Sequence, residues 1–537
     1  MLKVGGTAAC SYPMISIGGG DGDLLGGKYV RGIGDINGDG FGDIALSSSS
    51  DQRIAYILYG NNQTLANIKS IADYVNGTAA HGLIIQRLND PLAQATSAGD
   101  INNDGIKDIM MSGRAPDHTP GGILYVVYGN GELPNILFAA SYITDKTNGF
   151  VVMGTSDNRL GYAATALGDV NGDGITDIML SYNDPNNAEL ACVLYGKKGG
   201  LPNIDSISTY LSDITHGFTI AGPQGMDFNI EDSGGIDING DGIGDIILLT
   251  SRSSDTIPVF IIYGKKGGLS NIKSVDAYLS DTTNGFKVDN LPCDFASNVG
   301  DVNVDGIEDI TISNCQYRED GSTEGAVYTL YGSRVALPNI QSIISYLDDT
   351  SKGFRMHGTD TASLYINPLR AASAGDMNRD GIGDMAMKAI YNTGGEPSGA
   401  IYIAYGKKGG LPNIDSMGDY FDSANKGCSV VSQIISFGNS LSTGNNIDGS
   451  GKSSLVVGQY DTSNPSQNAY ILYSQEGPGP DGGGGGTGLS AAQIGGIVAG
   501  VVGGILAGLA GYYAHKHYHA ADAETTPINA GDWHDAA

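Results

Sequence analysis

One short acidic pattern recurs six times along the chain at nearly even spacing, and any fold must accommodate that period first. The first copy is GDINGDGFGDIAL, residues 34–46. It sets Asp35, Asn37, Asp39 and Asp43 at positions 1, 3, 5 and 9 of a loop that Gly38 and Gly40 allow to bend tightly. The copies begin at Asp35, Asp100, Asp169, Asp237, Asp301 and Asp376, giving separations of 65, 69, 68, 64 and 75 residues. A seventh, altered copy follows 70 residues later in NIDGSGKSSLVVG, residues 446–458, with Asn446, Asp448, Ser450 and Ser454 at the same positions.

Each repeat carries four short β-rich segments bounded by Gly, Asn or Asp. The third repeat is the clearest, with LGYAATALG (160–168), the loop, then DIMLSY (177–182), LACVLYG (190–196) and GFTIAG (217–222). Between its third and fourth segments lies KKGGLPNIDSISTYLSDITH, in which Ile204, Ile207 and Leu211 fall at helical spacing. That insert predicts a short helix packed on the repeat. Four strands in each of seven repeats predict an all-β fold, a seven-bladed β-propeller with short helical inserts. The seventh repeat has no fourth strand after AYILY, while YPMISIGG (12–19) stands free at the N-terminus. We therefore expect residues 12–19 to complete the last blade and the propeller to span residues 10–474.

Oxygen-bearing side chains at alternating loop positions suit a hard divalent cation, and a flexible all-oxygen cage suits calcium better than magnesium. In the first loop Asp35, Asn37 and Asp39 are expected to ligate through side chains, Phe41 through its carbonyl, and Asp43 to close the cage. The second set is Asp100, Asn102, Asp104, Ile106 and Asp108; the third is Asp169, Asn171, Asp173, Ile175 and Asp177. The fourth is Asp237, Asn239, Asp241, Ile243 and Asp245; the fifth is Asp301, Asn303, Asp305, Ile307 and Asp309. The sixth is Asp376, Asn378, Asp380, Ile382 and Asp384. Plain Asx-Gly turns are the simpler alternative, but a turn does not require Asp at positions 1, 5 and 9 six times over. An EF-hand loop would run on to a Glu and enter a helix, whereas these enter DIAL, DIML and DIIL. About six calcium ions are expected, with little or no binding at the seventh loop.

The formal charge of −29 disfavours a nucleic-acid partner. Much of it is local, because the six loops hold 18 of the 58 acidic residues. Cys10, Cys192, Cys293, Cys315 and Cys428 are scattered without C-x-x-C spacing, which argues against a zinc site or a disulfide scaffold. Cys293 and Cys315 could pair, but buried free thiols are the expectation for the set. No nucleophile elbow or zinc signature is present, and the eight His are dispersed or lie near the C-terminus, so no enzyme is expected.

The first twenty residues show no apolar core of the kind a secretory signal carries. A Gly/Pro-rich linker at 475–493 leads to IGGIVAGVVGGILAGLAGYY, residues 494–513, which is long and apolar enough to span a bilayer as one helix. Gly496, Gly500, Gly504 and Gly508 form a small-residue ladder on it that would permit self-association. A short polar tail, 514–537, opens with His515, Lys516 and His517 and favours a cytoplasmic C-terminus with the propeller outside the cell. A tail-anchored propeller facing the cytosol is the alternative.

The D-x-N-x-D-G-x-x-D loops, the LG-x-A approach and the GF-x-I-x-G strand together resemble the FG-GAP repeat, the blade unit of integrin α-subunit heads and of many bacterial surface proteins. The resemblance covers nearly all of residues 12–474. It implies a seven-bladed propeller with calcium in each intact loop, and adhesion or recognition of a protein or carbohydrate ligand at a cell surface. Six loops are intact here, whereas integrin α heads usually carry three or four. A non-adhesive structural scaffold is the alternative of a different class. The irregular loops RAPDHTPGG (114–122), NCQYREDGSTEG (314–325) and YNTGGEPSG (391–399) are expected on the face opposite the acidic loops, where ligand contacts would lie.

Overall fold

In the third repeat, Ile178, Met179, Leu180, Ala191, Cys192, Val193 and Leu194 are all fully buried. Strands covered on both faces read as unbroken apolar runs rather than alternating ones, and that is how these two strands read. The cover comes from the neighbouring repeats. The computed structural model describes residues 10–475 except residue 11 and internal stretches that include 20–29, 49–53, 87–94, 115–121, 315–324, 393–397 and 460–467. Within them it forms seven antiparallel sheets arranged as a propeller.

Blade 3 is typical, with strands Ala164–Gly168, Asp177–Asn183, Glu189–Leu194 and Gly217–Ala221 in sequential order. Its first strand is shorter than the apolar run at 160–168 suggested. Five blades have four strands and two have five among the described residues. In blade 4 the first strand is broken into Asp227–Asn229 and Gly235–Ile236, both paired with Asp245–Ser251. Blade 6 gains Thr359–Thr361 beside its long first strand, Leu364–Gly375. Blade 7 consists of Phe437–Asn445, Ser453–Gln459 and Asn468–Tyr473, with Met14–Gly18 from the N-terminus as its outermost strand, Ile15 opposite Ile471.

No single core exists. The buried apolar residues fall into seven clusters among the described residues, one at each junction between blades; Val126, Phe150, Leu180, Cys192 and Ile204 share the junction of blades 2 and 3. The first strands meet around the axis, where room is short. A Cβ on Gly32 would lie 2.2 Å from the carbonyl oxygen of Thr443 in blade 7, so only glycine fits there.

The inserts contain short helices, a single turn at Ile207–Tyr210 in blade 3, with Ser206 capping the N-terminus by accepting from the Thr209 amide. Each insert also crosses to the preceding blade. In blade 3 the Asn203 side chain accepts the Val151 amide of blade 2 at 3.0 Å, and Ile204 exchanges backbone hydrogen bonds of 2.8 Å with Val151 and Met153. Asn67, Asn135, Asn271, Asn339 and Asn413 repeat the first bond at 2.8–2.9 Å. Ile68, Ile136, Ile272, Ile340 and Ile414 repeat the bridge. The Leu-x-Asn-Ile stretch of each insert, with Pro at the second place in four of the six, is thus a strap across a seam. Among the described residues six seams have one, and none is seen at the seventh, between blades 6 and 7.

That seam also corrects the expectation of no disulfide framework, since Cys10 and Cys428 are joined with a Cα–Cα distance of 4.9 Å. Cys192 is a buried free thiol, and Cys293 and Cys315 lie outside the described residues. So do the 494–513 segment, the tail, and the linker beyond Gln475. Among the described residues no helix is long and apolar enough to cross a membrane.

Candidate metal centre

All six acidic loops join the first strand of a blade to the second and emerge on the face that carries the inserts. Their shape is set by left-handed backbone at positions 4 and 6. Gly38 and Gly40 supply it in the first loop (φ 74° and 89°), and Asn103, Val304 and Arg379 take position 4 in the second, fifth and sixth. Val304 is β-branched at φ 63°, an unfavoured combination. Several of the loops also hold a neighbouring loop. Lys107 donates its amide to the Asp35 carbonyl at 2.9 Å and Gly244 to that of Asp169 at 2.7 Å, while Gly42 closes onto Asn446 at 3.2 Å.

The candidate ligands turn inward onto backbone amides. Asp35 accepts from Gly38, Asp39 and Gly40 at 2.7–3.2 Å. Asn37 accepts from the Asp39 amide at 3.1 Å and donates to the Asp39 carboxylate at 2.9 Å, and Asp39 accepts from Phe41 at 2.9 Å. The same bonds recur around Asp100, Asn102, Asp104 and Ile106, and around Asp169, Asn171, Asp173 and Ile175. They recur with Asp301, Asn303, Asp305 and Ile307, and with Asp376, Asn378, Asp380 and Ile382. In the fourth loop, Asp237, Asp241 and Ile243 keep the pattern, but the Asn239 side-chain amide points at Asp245.

Position 9 is placed differently. Asp43 is 1% exposed and lies at the start of the second strand, with one oxygen accepting from Ile36 and the other from Gly60, both at 2.9 Å. Asp108, Asp177, Asp245, Asp309 and Asp384 each take the matching pair of amides at 2.8–3.1 Å. This carboxylate ties the loop to the turn after the third strand. The sequence reading missed that role, although a Tyr-Gly pair ends the third segment of every intact repeat. Each carboxylate oxygen has a second lone pair, so the anchoring bonds do not use up the acceptor capacity.

Burial pushes the Asp108 carboxyl up to about 7, and Asp177, Asp245, Asp309 and Asp384 up to about 8; the two amide bonds pull the other way and the loop's own Asp charges add to the rise. Asp43 is raised well above the carboxylate range for the same reasons. Among the described residues no Lys or Arg forms an ion pair with an Asp of these loops. Nor do three or more His, Cys, Asp or Glu side chains converge there as a metal-holding cluster. The donor set is nonetheless all oxygen and carries three carboxylates per loop without a counter-charge, which fits a divalent cation.

Fold and loops together define an FG-GAP-type, integrin-α-like β-propeller. The relatives it matches include integrin alpha pat-2 of Caenorhabditis elegans, 28% identical over 232 residues covering 42% of this chain and 17% of the relative. Integrin alpha pat-2 of Caenorhabditis briggsae is 28% identical over 262 residues, 45% of this chain and 20% of the relative. Integrin alpha-PS2 of Drosophila melanogaster is 24% identical over 241 residues, 43% and 16% respectively. The chain thus matches a fifth or less of the length of these curated relatives. No protein-family model matches it.

Proposed function

We propose that the propeller is a calcium-stabilised recognition module displayed on the outer side of a membrane, with adhesion as its task. The observation that carries the calcium reading is the uncompensated charge: 18 Asp in six equivalent loops, with no basic partner among the described residues. In the first loop Asp35, Asn37, Asp39, the Phe41 carbonyl and Asp43 would hold the ion, and the matching five residues would do so in the other loops. Bound calcium would neutralise carboxylates that otherwise repel one another beside two strands that must pair. The role is structural. At a free concentration 100 times the dissociation constant each site would add about 2.7 kcal/mol.

Adhesion is supported by likeness to integrin α chains, and external placement by the Cys10–Cys428 disulfide, which persists in oxidising compartments and not in the cytosol. Anchoring rests on the 494–513 segment, and recognition is assigned to the face opposite the acidic loops. The three irregular loops expected there, 114–122, 314–325 and 391–399, lie largely outside the described residues. An integrin-type propeller would take either a second membrane chain or an extracellular protein or carbohydrate as partner. Calorimetric titration of the chelator-dialysed full chain with calcium tests the metal reading: uptake of about six ions is expected, and no heat above dilution would end it.

A further inference from the structure

At six seams the strap residues meet the preceding blade in a fixed pattern. The strap Ile amide bonds the carbonyl of the third residue of that blade's outer strand, as Ile204 bonds Val151, Ile272 bonds Thr219 and Ile414 bonds Arg355, each at 2.8 Å. At five of the six the strap Leu amide donates to a buried tyrosine hydroxyl, as Leu201 does to Tyr128, Leu269 to Tyr195 and Leu411 to Tyr331, each at 2.8 Å. In blades 2 to 5 the second residue of the outer strand is a fully buried Phe beside that tyrosine, with ring centroids 6.0–6.3 Å apart for Tyr128–Phe150, Tyr195–Phe218, Tyr263–Phe286 and Tyr331–Phe354.

Blade 6 departs from blades 2 to 5 at one residue, since its outer strand begins Gly427-Cys428-Ser429 where theirs begin Gly-Phe. The N-terminal segment arrives at that place. Cys10 donates its amide to the Ser429 carbonyl at 3.0 Å, the bond a strap isoleucine makes elsewhere. The Tyr12 hydroxyl meets that of Tyr405, the counterpart of Tyr331, at 2.8 Å, where a strap leucine amide would stand. The Tyr405 hydroxyl also lies 3.7 Å from the Cys428 sulfur. Cys10 therefore occupies the isoleucine position of a strap, Cys428 the phenylalanine position beneath it, and a covalent bond joins them across 418 residues.

We propose that Cys10–Cys428 is the seventh strap in covalent form, and that a dithiol reductant opens the propeller ring at this seam alone. One thiolate of the reductant attacks a sulfur of the pair and forms a mixed disulfide as the other sulfur leaves as a thiolate. The second thiol of the reductant then displaces the remaining sulfur. The reductant ends as its own disulfide, and Cys10 and Cys428 as two thiols. What remains of the strap itself is one backbone bond and a tyrosine pair, so the N-terminal strand Met14–Gly18 loses its covalent tether to blade 6. The other six straps contain no bond a thiol can break.

Peptide mapping under non-reducing conditions and amide hydrogen exchange of the full chain test this, with and without dithiothreitol and in Cys10→Ser/Cys428→Ser. The untreated protein should yield the Cys10–Cys428 peptide. Reduction and the double substitution should each speed exchange in Met14–Gly18, Gly427–Ser432 and Asn468–Tyr473 by about a hundred-fold while blade 3 stays unchanged. The substitution separates this bond from any involving Cys293 or Cys315. If it prevents folding, reduction of the folded wild type still decides. Free thiols at both positions in untreated protein, unchanged exchange after reduction, or an equal rise in all seven blades would overturn the proposal.

Discussion

In blade 3 the second strand opens near Asp177, whose buried carboxylate holds the amides of Val170 and Gly196. In blade 7 the same place is Ser454, equally buried at 1% exposure, and no carboxylate stands there. The work passes to neutral groups. Asn446 takes the Gly451 amide at 2.6 Å as Asp169 takes that of Gly174, its own amide bonds the Lys452 carbonyl, and Ser474 bonds the Ser453 carbonyl at 3.3 Å. Arg379 reaches across from the sixth loop to the Ser474 carbonyl at 2.7 Å. Gly449 and Gly451 keep the left-handed turns. Asp448, at position 3, is the one carboxylate in that loop and accepts the Ser450 amide at 3.1 Å. The loop fold therefore does not depend on carboxylates at positions 1, 5 and 9, and the 18 Asp at those positions elsewhere are not required by shape.

Removing divalent ions should have the largest effect on this contrast. Chelation is expected to lower the melting temperature markedly, with faster amide exchange in blades 1–6 and the least change in the loop of blade 7; an unchanged melt in excess chelator would remove calcium from the account. The pH dependence should reverse with it. In the ion-free protein the carboxyls of Asp108, Asp177, Asp245, Asp309 and Asp384 are pushed up to about 7 to 8, against about 4 for an unfolded carboxylate, and burial raises Asp43 in the same direction. The folded state thus holds protons that the unfolded chain releases. That stability is present below the ordinary carboxylate value and lost as pH rises through 7 to 8. Acidifying from pH 8 to 5.5 in chelator should raise the melting temperature, and in saturating calcium, where protons compete with the ion, it should not.

A smaller test acts on one blade. Asp177→Ala leaves two buried amides unsatisfied and should cost about 4 kcal/mol, at roughly 1–3 kcal/mol for each orphaned donor. Ser454→Ala strands no amide seen in the structure and should cost less than about 1 kcal/mol. Denaturant unfolding checks both, and equal losses would contradict the view that blade 7 has replaced the carboxylate.

The blade count, the all-β class and the inserts were legible because each is written locally: a loop every 64 to 75 residues, apolar runs of strand length, and isoleucines at helical spacing. What was not legible joins one blade to the next. Asn203 looks like a polar residue in a turn until its partner, Val151, is known to lie 52 residues upstream. Asp177 looks like a ninth ligand until Gly196 is placed above it. The disulfide left one readable trace, the change from Gly-Phe to Gly-Cys in blade 6, but its meaning depends on where the N-terminus runs. Periodicity shows that a unit repeats and says little about how units touch.

The strap tyrosines offer the finest contrast, because one of them has lost its partner. Five accept the next blade's leucine amide: Tyr128, Tyr195, Tyr263, Tyr331 and Tyr473, at 2.8–3.3 Å. The hydroxyl of Tyr59 is buried with no partner among the described residues. Its seam leads to blade 2, where Tyr128 is followed by Gly-Asn-Gly-Glu before Leu133, one residue fewer than the Gly-Lys-Lys-Gly-Gly between Tyr195 and Leu201. The shorter turn accounts for an amide that does not reach the hydroxyl. Tyr195→Phe should therefore cost about 2 kcal/mol by stranding the Leu269 amide, while Tyr59→Phe removes only an unpaired buried group and should be neutral or stabilising by up to about 1 kcal/mol. Matched unfolding curves decide it, and a loss at Tyr59 as large as that at Tyr195 would mean that the hydroxyl has a partner after all, with an ordered water at the shortened turn as the first place to look.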